Sequence, residues 1–157
     1  MGNEHPLQDL ITEAGEGRLT VSFGDSSSNR VRVDAEEFVA IERECEAFKT
    51  LIAELQRVAI DISEREVWGL GEAINELVSA RTLVSRFREK GKGSTNSVHA
   101  ILDEHYKIVD DLQILHRAIA QKYMQTDAEF SAQYSELMAA APQPGMPGAG
   151  STPEQRV

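Results

Sequence analysis

From Asp34 to Ile62 the apolar positions recur with marked regularity. Phe38, Ile41, Cys45, Phe48, Ile52, Leu55, Ala59 and Ile62 follow one another at alternating steps of three and four residues. A 3.5-residue period of this kind predicts a helix that packs along its length against another helix. Asp34 stands before it with Glu37 three residues on, the arrangement of a capped helix start. The same spacing returns from near Ser97 onward, in Ile101, His105, Ile108, Leu112, Leu115 and Ile119. Each predicted helix spans about 29 residues, roughly 43 Å. Equal length and equal period predict that the two lie side by side. Asp in place of Ile52 or Leu112 would then bury an unpaired charge, at a cost of several kcal/mol.

The pattern breaks between these helices. Ser63 to Glu72 contains Trp68-Gly69-Leu70-Gly71, and two glycines so close predict a turn or a broken helix. A further helix is expected over about Ala73 to Lys90, with Ile74, Leu77, Val78, Val84 and Phe87 as its stripe, then a loop over 91–96. Thr126 with Glu129 reads as a capping box for a short fourth helix, or a bent continuation, carrying Phe130, Tyr134, Leu137 and Met138. Upstream, Leu19, Val21 and Phe23, then Val31 and Val33, alternate around a polar six-residue loop and predict a β-hairpin. Such a hairpin is marginal alone and must pack on the helices or on a second subunit. The expected fold is mainly α: an antiparallel helical hairpin or bundle of three main helices with a small N-terminal β-hairpin. Residues 1–17 form a flexible N-terminus in which Leu7, Leu10 and Ile11 support one or two helical turns. Residues 18–33 form the hairpin, 34–140 the helical domain, and 141–157 a disordered tail.

Charge narrows the function. The net charge is −10, which argues against nucleic acid, since phosphate binding needs clustered Lys and Arg. The best basic cluster, Arg81, Arg86, Arg88, Lys90 and Lys92, falls near a helix end, where it suits the helix dipole. The single cysteine, Cys45, excludes an intrachain disulfide and a cysteine-based metal site, and its seam position implies packing. No leader and no run of 18 apolar residues is present, so neither general-pathway export nor a membrane span is expected. His99 and Asp103 share a helix face, and Glu104 adjoins His105, but helical carboxylate metal sites need Glu and His three apart. His105 is read as a hydrogen-bonded core or interface histidine, and the many carboxylates as solvated. No phosphate loop or nucleophile elbow occurs. No metal, cofactor or enzyme activity is expected.

Two features together resemble one family. Trp68-Gly69 lies in a turn between amphipathic helices, and Tyr-x-x-x-Asp occurs twice later, as Tyr106 to Asp110 and Tyr123 to Asp127. Over about 34–127 the chain resembles the WXG (ESAT-6-like) proteins exported by type VII (ESX) secretion systems. The strict family pattern puts Gly two residues after Trp, whereas here Gly69 follows directly. The resemblance implies an antiparallel helical hairpin that pairs with a second such protein, homo- or heterodimeric, and engages secretion machinery. It implies Trp68, Gly69, Tyr106, Asp110, Tyr123 and Asp127 as the export signal, and secretion through a type VII system. The alternative is a cytoplasmic helical adaptor or oligomerisation module.

Overall fold

The structure is a computed structural model that describes residues 5–20 and 33–140. Five helices hold 76% of those residues: α1 (Gln8–Glu16), α2 (Ala35–Glu64), α3 (Val78–Gly91), α4 (Val98–Thr126) and α5 (Ala128–Ala139). The mainly helical expectation holds. None of the described residues lies in a strand; residues 18–20 and 33 of the expected β-hairpin are irregular, and the rest of it, like the tail beyond 140, lies outside the described residues. Within the segment expected to be flexible, α1 is a formed helix. It stops at Gly17, whose φ of +72° turns the chain while the Gly17 and Arg18 amides bond back to Ala14 and Glu13.

Most boundaries follow from side-chain caps. Asp34 accepts from the Glu36 amide (2.9 Å) at the head of α2, and Ser97 from the Ala100 amide (3.3 Å) at the head of α4. At α5 the cap is Asp127 rather than Thr126. The Asp127 carboxylate reaches both the Glu129 and Phe130 amides at 3.0 Å, while the Thr126 hydroxyl donates back to the Lys122 carbonyl (3.1 Å) and so belongs to α4. Helix α3 starts at Val78, later than Ala73. The intervening residues form successive tight turns, with Ile74 N–H bonded to Gly71 C=O and Leu77 N–H to Ile74 C=O, both at 3.0 Å.

Helices α2 and α4 run antiparallel. Going up α2, Phe38 meets His116 and Tyr123, Glu42 meets Gln113 and Arg117, and Lys49 meets Asp110. One end of this pair is well covered. Phe130 of α5 enters between Ala35 and Ala120, and Phe38 sets its edge to Phe130 (5.7 Å, 88°) and to Tyr123 (6.2 Å, 64°), the ring geometry that aromatic quadrupoles favour. Helix α1 lies along α4 in the same direction, from Leu7 at Asp111 to Gly17 at Lys122. At the other end α3 meets α2 so closely that a Cβ on Gly91 would stand 2.7 Å from the Ala59 carbonyl. Only glycine permits that approach.

Candidate interaction surface

The residues expected to form one signal are divided among three places. Trp68 and Gly69 sit in the turn between α2 and α3, not between the two long helices that pair, because α3 intervenes. The Trp68 ring stacks on Phe87 (5.5 Å, 17°), and the Arg65 guanidinium lies over the Trp68 ring at 5.8 Å. The turn is held by Glu72, whose carboxylate accepts from the amides of Trp68 (2.5 Å), Leu70 (2.8 Å) and Gly69 (3.1 Å). Gly69 (φ +72°) and Gly71 (φ +90°) supply the left-handed backbone that brings these amides round one anion.

The Trp68 amide first, then the Glu72, Leu70 and Gly69 amides, hold the Glu72 carboxyl down to about 2. A lowered carboxyl pKa contributes stability that is full above the ordinary value near 4.5 and is lost as the pH falls through the folded value. Trp68 is the only tryptophan, so its emission reports this turn. We expect the emission to hold through the usual carboxylate range and to move only as the pH approaches 2, whereas Glu72→Ala should move it already at neutral pH. A transition of the native protein centred near 4.5 would contradict this account.

Tyr106 and Asp110 lie mid-way along α4 and share one cation. The Lys49 ammonium bonds Asp110 Oδ1 (3.0 Å), pairs with Glu46 (3.3 Å) and lies 5.8 Å from the Tyr106 ring centre. Burial works against the charge on Lys49, but Asp110 and Glu46 outweigh it and its pKa is raised. Tyr123 and Asp127 lie at the far end of α4, where Tyr123 packs into the aromatic cluster and Asp127 caps α5. Along α4 this places Tyr123 roughly 40 Å from the end at which α3 and the Trp68 turn sit. The fold therefore does not bring Trp68 to the Tyr123–Asp127 pair, and Trp68 finds its ring contacts in Phe87 and Arg65.

Two carboxylates expected to be solvated are buried instead. Glu42 accepts from Gln113 Nε2 (2.6 Å) and from Arg117 Nε (2.9 Å), and Gln113 also reaches Glu46 (3.2 Å). The bond from Glu42 raises the Arg117 pKa against the effect of burial, and the bond from Gln113 leads in lowering that of Glu46. Asp111, with a side chain 0% exposed, accepts from His5 Nδ1 and from the Leu7 amide, both at 2.7 Å, and so anchors the head of α1. Nothing in the apolar periodicity marks these residues. Glu42 and Asp111 stand beside the repeat positions, not on them.

The seam itself is only partly filled. Ile52 (1% exposed) and Ala59 (2%) are buried, but Phe48, Leu55 and Ile62 on the same repeat are exposed, as are Ile101, His105, Ile108 and Leu112 on α4. Among the described residues, every exposed large apolar side chain except Leu10 and Met138 falls between Phe48 and Leu112. Ile41, Cys45, Phe48, Val109 and Leu112 line one groove between the two helices, together with Glu37 and Glu44. The two stripes thus lie on the same side of the pair. Burial, with Glu42 next, raises the Cys45 pKa and keeps the thiol protonated.

Among the described residues no three His, Cys, Asp or Glu converge as metal ligands, and no helix is long and apolar enough to cross a membrane. No protein-family model matches the chain, and no curated protein and no solved structure matches it.

Proposed function

We propose that this protein works by pairing its helices with another protein rather than by catalysis, as a WXG-like substrate or component of a type VII secretion system. The observation that carries the pairing is the apolar face left uncovered on α2 and α4, larger than a self-contained domain normally exposes. The secretion reading rests on the Trp68-Gly69 turn and on Tyr123-x-x-x-Asp127 at the end of the second long helix. Secretion would follow, with Trp68, Gly69, Tyr106, Asp110, Tyr123 and Asp127 as the recognition residues. One observation favours a second reading, a cytoplasmic helical adaptor: the Trp68 turn and the Tyr123–Asp127 corner lie at opposite ends of the helical pair, so they do not form one patch within a single chain.

Export from a strain with a working type VII system tests the first reading. Tyr123→Phe with Asp127→Asn keeps both the ring packing and a capping side chain, so it separates recognition from folding. Tyr106→Ala with Asp110→Ala makes the companion variant. We expect at least one folded double variant to remain inside the cells. Normal export of both would remove these residues from the signal and leave helix pairing standing.

A further inference from the structure

We infer that the uncovered α2/α4 face receives an amphipathic helix flanked by basic residues, not a second copy of this chain. The inference rests on the helix-pairing reading above and adds the chemistry of the partner. The stripe on α2 is Phe48, Leu51, Leu55, Val58 and Ile62, again at steps of three and four. Opposite it, Val98, Ile101, Ile108 and Leu112 of α4 follow the same rule, with His105 at the middle position. These nine apolar residues leave between 38% and 52% of their surface in water. Together they offer roughly 800 Å2, one side of a standard protein interface. The strip is about 21 Å long, room for four turns of a partner helix.

The rim decides which helix. Glu37 and Glu44 continue the Leu51–Val58 line towards the head of α2 and stand beside the groove. Glu54 and Asp61 precede Leu55 and Ile62 and flank the stripe on its outer side, as Glu104 does next to His105. All five are exposed. Of the cations nearby, Lys49 is engaged by Asp110 and Glu46, Lys107 by Asp103 and Glu104, and Arg65 lies over the Trp68 ring at the end of the strip; Arg57 stands between Glu54 and Asp61, and the acidic residues of the rim outnumber it. Two copies brought together on this face would set acidic rims against each other, in a chain of net charge −10. A helix with Lys or Arg beside its apolar stripe meets the same rim with opposite charge.

Two labelled heptad peptides test this, identical in their apolar positions, one flanked by Lys and the other by Glu. Fluorescence anisotropy against the full chain should show the Lys-flanked peptide binding at least about tenfold more tightly at low salt, the gap closing at high salt. Leu55→Asp or Ile108→Asp should abolish binding, and Glu44→Gln with Glu54→Gln and Asp61→Asn should erase the preference without unfolding the protein. Equal binding of both peptides would overturn the charge assignment and keep helix pairing. A dimer in sedimentation equilibrium that Leu55→Asp dissociates would likewise keep pairing but make the occupant a second copy. No peptide binding by a concentration-independent monomer would overturn both readings.

Discussion

Ile52→Asp is expected to unfold the α2–α4 pair, whereas Leu112→Asp should leave the protein folded. The two positions share one apolar period, and the sequence alone assigns them the same cost. The structure separates them. Ile52 is 1% exposed against α4, while Leu112 is 38% exposed at the edge of the uncovered face. At Ile52 the substitution removes about 2 kcal/mol of apolar burial and places an unpaired carboxylate out of water, together upward of about 4 kcal/mol. That is a large share of the stability of any domain this size. At Leu112 the carboxylate can reach solvent, and the loss should stay near 1 kcal/mol, about 2–4 °C in melting temperature. Circular dichroism melts of the two variants check this directly. Similar losses at both positions would mean that the face is covered in the free protein.

Asp111→Ala is expected to detach α1 without dissolving α2 and α4. The buried carboxylate holds the Leu7 amide and His5 at 2.7 Å each, and α1 has only nine residues, too few to persist in water unpacked. Hydrogen bonds to a charged acceptor contribute about 1.5–3 kcal/mol each. The expected total of about 3 kcal/mol or more corresponds to a fall of roughly 6–12 °C in melting temperature. Amide exchange should show protection lost over 8–16 and retained through the middle of α2 and α4. Retained protection in α1 would place its anchoring elsewhere, in the contacts of Ile11 and Ala14.

The long helices were legible because an aliphatic period of 3.5 has few other readings, and both came out within two residues of their expected ends. The α1 anchor was not legible. Its key residue, Asp111, is a charged residue in an acidic chain, and only the third dimension shows that it faces the head of another helix. The Glu42–Gln113–Arg117 set was hidden for the same reason. The start of α3 was misplaced because residues 73–77 carry a helical apolar pattern, yet the glycines and the Glu72 carboxylate commit the backbone before Val78 to turns. His105, expected in the core or at an interface, is exposed on the uncovered face. The six residues of the proposed signal rest on a motif, and a motif carries no information on which end of a bundle it occupies.

The polar contacts between α2 and α4 bear on alignment. A row of interchangeable aliphatic side chains does not tell a neighbouring helix where to stop, since a slip of seven residues exchanges one Leu or Ile for another. The Lys49–Asp110 and Glu42–Gln113–Arg117 rungs do tell it. Any slip strands Gln113 and leaves Glu42 without its guanidinium, so one register survives. The open face carries a single polar position, His105, and no matching rung. A helix docked there as proposed would be ruled by charge along its edges and free in its register. On that proposal the open face would accept a range of partner sequences, where the α2–α4 seam accepts one register.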